Sequence, residues 1–111
     1  IPGRVMPVAA VGIDGLPHRI PHIGWSALAL PAARRSWDRT LLTHVNPGEP
    51  VYFVHSFAPV PEKEEHRLAD TFYDGVRICA AVARDSIYGC QFHPERSAAH
   101  GLTILSGFLE L

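Results

Sequence analysis

Proline constrains this chain more than any other residue. Ten of its 111 residues are proline, against a usual share of roughly 5%, and they run from Pro2 to Pro94. Each removes a backbone donor and fixes φ, which breaks helix interiors. A helical bundle is therefore excluded, and short extended segments separated by turns remain. Hydrophobic residues at 47% and charged ones at 19% exclude a disordered chain. Ten basic residues stand against eleven acidic ones, for a net charge of -1, which gives no electrostatic footprint for nucleic acid. The length is that of one domain spanning residues 1–111.

No apolar run approaches the roughly 20 residues of a membrane-spanning helix. The apolar stretch after Arg4 is cut by Pro7 and Gly12, unlike the core of a signal peptide. Cys79 and Cys90 are the only cysteines, too few for a disulfide scaffold. A cytoplasmic chain with reduced thiols is the expectation.

The segments read as follows. Arg4–Val11 is an extended stretch whose Pro7 marks an edge or bulge. Pro21 and Pro31 bracket a second, Ile23–Leu30. Trp37, Leu41, Leu42 and Val45 fall at helical spacing, and Asn46-Pro47-Gly48 ends that segment as a turn. Val51–Phe57 is rich in β-branched and aromatic residues and reads as one strand. After the charged loop Glu62–Glu65, three further strands are expected over His66–Tyr73, Arg77–Arg84 and Ile87–Phe92. Asp74-Gly75 and Asp85-Ser86 supply hairpin turns. The period then changes. Ser97 reads as the cap of a helix whose Leu102, Leu105, Phe108 and Leu109 pack on the sheet, with Gly101 and Gly107 weakening it. The fold class is α/β, mostly antiparallel strands closed by one C-terminal helix.

The chemistry concentrates in Gly89–Ser97. Pro94 forces His93 to an extended backbone, and residues two apart in an extended segment share a side. His93 and Glu95 thus project together. A carboxylate beside an imidazole selects its tautomer and stabilises its protonated form, which is the base-and-orienter half of a nucleophilic triad. A surface hydrogen bond is the plainer reading of the same pair. His18 and His22 have a metal-ligand spacing, but Pro17 and Pro21 oppose the helix it requires; no metal site is expected.

Tyr88-Gly89-Cys90-Gln91-Phe92-His93-Pro94-Glu95-Arg96-Ser97 resembles the signature of class I glutamine amidotransferases, whose triad is Cys, His and Glu. Ile1–Val5, Pro21-His22-Ile23-Gly24-Trp25, Tyr52–Phe57 and Gly107–Leu111 resemble, in order, segments of the branch that serves as glutaminase subunit of imidazole glycerol phosphate synthase. The resemblance implies a partial mixed sheet of the amidotransferase type. It implies His93 and Glu95 as catalytic residues, and Ser56 and Phe57 as substrate-binding ones. Pro21, His22, Gly24 and Trp25 would form the docking face for a cyclase subunit. Read without it, Trp25 is a core tryptophan, and Ser56 and Phe57 simply end a strand. Ser26 stands where those subunits more often carry asparagine, and Phe57 where they carry tyrosine. No cofactor is implied.

The family's Gly-x-Cys-x-Gly elbow has no counterpart here, since Cys79 lies in Ile-Cys-Ala and Cys90 in Gly-Cys-Gln. The chain therefore reads as the C-terminal part of such a subunit, opening at Ile1, and as inactive alone. Either it is a piece whose cysteine-bearing half belongs to the same gene or to a separate fragment, or it is a non-catalytic relative acting as a self-associating binding or structural module.

Overall fold

The computed structural model describes all residues 1–111. Its proline-bracketed segments form seven strands: β1 (Gly3–Pro7), β2 (His22–Ala27), β3 (Pro50–His55), β4 (Phe57–Pro61), β5 (Arg67–Tyr73), β6 (Val76–Arg84) and β7 (Ile87–Cys90). Two 3-10 turns, Glu64–His66 and Pro94–Arg96, precede β5 and the single helix α1 (Ala98–Leu109). The strands pair as three antiparallel sheets, β1-β4, β2-β3 and β5-β6-β7. This is the α/β, mostly antiparallel arrangement expected. Backbone bonds in both directions between Ala29 and Asp70 tie the second sheet to the third.

Local chemistry explains the connections. Asp74 and Gly75 both take positive φ, 48° and 78°, as a two-residue hairpin with the right twist requires. Val51–Phe57, expected as one strand, is two. β3 stops at His55, and Phe57 opens β4 opposite Pro7 of β1. The proline-bearing β1 and β4 serve as an edge ribbon, where missing donors cost least. The Trp37–Val45 segment forms successive i→i+3 turns with no regular helix. There the Thr40 hydroxyl donates to the Trp37 carbonyl and accepts from the Leu42 N–H, a side chain competing with helical bonds.

The core lies between β3, β5–β6, these turns and α1. It holds Leu28, Trp37, Leu42, Phe53, Leu68, Phe92 and Ile104, with Ala69, Ala80 and Ala81 letting the layers approach. Burying each large side chain contributes roughly 1.5–3 kcal/mol. Trp37 also donates Nε1–H to the Leu68 carbonyl at 2.7 Å. Asp70, inside β5, accepts from Arg67 at 2.7 Å and from Arg77 at 2.8 Å, which makes a buried carboxylate tolerable.

Helix α1 reverses the expected face. Gly101, Ile104 and Gly107 are buried, whereas Leu102 is 71% and Leu109 82% exposed, with Leu105 and Phe108 also outward. A Cβ on Gly101 would sit 1.7 Å from the Pro94 carbonyl oxygen, and one on Gly107 2.7 Å from that of Leu41. The glycines are the contact surface. Their cost in helix propensity is offset by a backbone approach that any side chain would block.

Candidate active site

β7 ends at Cys90, after which the chain changes partner. Gln91 donates its N–H to Ala80 of β6, and two residues later His93 donates to the Tyr52 carbonyl of β3. His93 is extended, φ −105° and ψ 99°, as its place before proline requires. Strand alternation was the expected route to the His93–Glu95 pair. Instead Glu95 lies in the Pro94–Arg96 turn, and the turn carries its carboxylate back to the imidazole at 2.8 Å (Nδ1···Oε1).

Ser97 holds this arrangement from below. Read as a helix cap, it makes no side-chain capping bond. Its buried hydroxyl donates to the His93 carbonyl at 2.7 Å and accepts the Tyr52 N–H at 3.0 Å. The backbone of His93 is thus fixed to β3 at both its N–H and its C=O. The sequence showed Ser97 but not this use of it, because the partner lies 45 residues away.

The electrostatics suit a base. The Glu95 carboxyl is held below its usual range by its own backbone N–H and then by the His93 side chain, so it stays an anion. A carboxylate on Nδ1 fixes the proton there and leaves the Nε2 lone pair free. The His93 side chain is 39% exposed, open to a reacting group.

Neither cysteine sits in an exposed setting of the kind that activates a thiol. Cys79 is buried, donates to the Ala81 carbonyl, and its thiol is pushed up to about 11 by burial. Cys90 is pushed up to about 12 for the same reason. Both are thiols at neutral pH, and neither hydrogen-bonds to His93.

The other expected residues are placed as follows. Ser56 and Phe57 sit at the bend joining β3 to β4, with Ser56 half-buried and Phe57 exposed. Ser56 lies four residue steps beyond Tyr52, beside His93, or about 13 Å along an extended chain. Trp25 is 53% exposed on β2, beside exposed Ile23, so it is no core residue; Pro21 and Gly24 are half-buried. His22 faces inward and is buried.

That inward histidine belongs to a network the sequence did not reveal. His55 Nδ1 meets the Phe57 carbonyl at 2.8 Å, which makes it the donor. Its Nε2 then accepts from His22 Nδ1 at 2.8 Å, and His22 Nε2 accepts from the Ser26 hydroxyl at 2.9 Å. One neutral tautomer on each ring satisfies every bond. Burial, then the neighbouring His55, lowers His22 to about 4; burial lowers His55 as well. Tyr73 stacks on both His22 and His18, and His18 pairs with Asp74 at 3.1 Å. The inward alternation of β3 runs Val51, Phe53, His55, and that one polar residue on an apolar face was the available signal for His55.

Residues 10–110 match the family description "Glutamine amidotransferase class-I". The chain belongs to the class-I glutamine amidotransferase family. Within class-I amidotransferases it is 45% identical, over all 111 residues, to imidazole glycerol phosphate synthase subunit HisH 1 of Legionella pneumophila (strain Lens), of which it covers 52%. It is 44% identical over 107 residues to the HisH subunit of Geobacillus thermodenitrificans, covering 96% of this chain and 47% of that one. The HisH subunit of Colwellia psychrerythraea is 40% identical, with 44% of its length covered. The chain spans about half the length of the curated relatives it matches. No helix is long and apolar enough to cross a membrane.

Proposed function

We propose that this class-I amidotransferase chain supplies the base half of a glutamine-hydrolysing centre that delivers ammonia in histidine biosynthesis. The observation that carries the reading is the His93–Glu95 contact at 2.8 Å with Nε2 unencumbered. The similarity to HisH subunits supports the pathway. A cysteine thiol from outside these 111 residues attacks the glutamine carboxamide. His93 Nε2 takes the thiol proton and returns it to the departing ammonia. The same nitrogen next deprotonates the water that opens the thioester to glutamate, and passes that proton to the departing thiolate sulfur. Glu95 holds the Nδ1 proton throughout. Ser56 and Phe57 border the substrate. Ile23 and Trp25 present the exposed part of the Pro21–Trp25 docking segment to a cyclase subunit, a setting that fits reduced thiols and the cytoplasm.

The chain alone releases no ammonia from glutamine in a coupled glutamate-dehydrogenase assay, because a base without a nucleophile forms no thioester. Ammonia release by the purified chain that His93→Ala abolishes refutes this. Mixed with a cysteine-bearing N-terminal portion of a HisH relative, activity appears, and His93→Ala lowers it by about 10²–10⁴-fold.

One observation favours a second reading, a non-catalytic self-associating module: the outward Leu102, Leu105, Phe108 and Leu109 of α1, an apolar strip of the kind that marks association surfaces. Light scattering separates the two. Stable dimers that persist in the presence of the cysteine-bearing portion support the module, and monomers at high concentration overturn it.

A further inference from the structure

Four of the ten basic residues line one cavity of about 520 Å³ between the Glu64–His66 turn and the β6–β7 hairpin: Arg34, Arg39, Lys63 and Arg84. Neither His93 nor Glu95 borders it. We propose that this cleft binds a small phosphate ester that also carries hydroxyl groups.

Charge balance is the first argument. Arg67 and Arg77 are matched by Glu64 and Asp70. Arg34, Arg39 and Arg84 have no carboxylate within ion-pair distance, and Lys63 meets Glu65 only at 4.0 Å. Three uncompensated guanidinium groups thus converge on one concavity, where low-dielectric walls concentrate their field.

Arg34 supplies the second. Its Nε donates to the Arg67 carbonyl at 2.9 Å and its Nη2 to the Glu65 carbonyl at 3.2 Å. Both partners are neutral, so the side chain is fixed while its charge stays free. Nη1 keeps its donors for a ligand, and an arginine already ordered loses little entropy on binding.

His66 is the third. It lines the cleft, is 8% exposed, and its Nδ1 is buried without a hydrogen-bond partner. A buried polar atom left unpaired costs stability, and a ligand oxygen or a water bridging to one relieves it. An imidazole beside guanidinium groups suits a tetrahedral oxyanion.

The acids in the wall refine the choice. Glu65 and Asp85 also face the cavity and repel a bare anion, but they accept hydrogen bonds from hydroxyl groups. A space of this size, within the roughly 300–1,000 Å³ usual for small-molecule sites, holds far more than one phosphate ion. The ester end meets the arginines and the hydroxylated end meets the carboxylates.

The experiment titrates the 15N-labelled chain with glycerol 3-phosphate and, separately, with inorganic phosphate at low ionic strength. Saturable amide shifts are expected in Lys63–His66 and Arg84–Asp85 and not in His93–Ser97. The ester should bind more tightly than phosphate. Arg84→Gln and Arg39→Gln, both exposed and without protein partners, should each weaken binding by about tenfold while leaving the rest of the spectrum unchanged. Arg34→Gln should weaken it at least as much. No saturable shift up to about 10 mM, equal shifts with sodium chloride, or full affinity in Arg84→Gln and Arg39→Gln overturns the proposal. Phosphate binding as tightly as the ester overturns the hydroxyl-bearing class.

Discussion

Replacing Gly101 by alanine sets two physical effects against each other with opposite signs. Helix propensity alone favours alanine by about 1 kcal/mol. Packing opposes it, since the new Cβ falls 1.7 Å from the Pro94 carbonyl oxygen and 2.7 Å from its carbon. Ordinary contact distances are about 3.5 Å, so helix and turn must separate by roughly 1.5–2 Å. The obstacle is backbone, which has no rotamer to retreat to. Overpacking of this kind costs about 1–3 kcal/mol, and a backbone clash belongs at the upper end, leaving a net loss of about 2 kcal/mol. For a chain of this size that lowers Tm by roughly 8 °C. Because Pro94 lies between His93 and Glu95, the damage should reach the site. The Glu95 carboxyl, held low by its own N–H and by His93, should return toward its ordinary range in a 13C titration. Thermal unfolding and that titration, run on wild type and Gly101→Ala, are the assay. A variant as stable as wild type with Glu95 unmoved refutes the close approach of α1 to the Pro94 turn.

Three further outcomes follow from the same structure. His22 is lowered to about 4 from 6.5, so the unfolded chain binds more protons between those values. Stability should therefore fall by roughly 3 kcal/mol as pH drops from about 6.5 to 4, and urea midpoints of His22→Gln should show a flatter decline. Asp70→Ala leaves buried Arg67 and its neighbour Arg77 with only the exposed Glu64 as carboxylate partner and should cost about 3 kcal/mol by urea unfolding, the lower end of the range for breaking a buried pair; a loss under about 1 kcal/mol argues against the bridge. Leu105→Glu on the outward strip of α1 should change monomer stability by less than about 0.5 kcal/mol. In the same variant, self-association seen by sedimentation should weaken.

Sequence reading reached the parts of this fold governed by local rules. The turn at Asp74-Gly75 is fixed by its own φ requirements, and the extended backbone of His93 by the proline beside it. It placed β5, β6 and the start of β7 to within a residue or so. It failed where a distant partner decides. Val51–Phe57 reads as one strand until β1 claims Phe57. Ser97 reads as a cap until the Tyr52 N–H takes its hydroxyl. Helix α1 is the sharpest case, because hydrophobicity chose the leucine strip while distance of approach chose the glycines. Contact between His93 and Glu95 was expected from strand alternation, and a turn makes it instead. Nothing local marked the Ser26–His22–His55 chain, whose members come from two strands 33 residues apart.

The attachment of His93 to β3 has a consequence for how this protein can vary. Both ties to residue 52 pass through its peptide groups, the carbonyl to His93 and the N–H to Ser97. The phenol of Tyr52 takes no part, and its ring lies edge-on to Trp25 at 6.0 Å. The His93 backbone is therefore anchored by atoms that every residue type except proline provides. Position 52 is free to change its side chain, and with it the surface around Trp25, without moving the imidazole. The surface beside Trp25 can drift at this residue while the His93–Glu95 pair stays where it is.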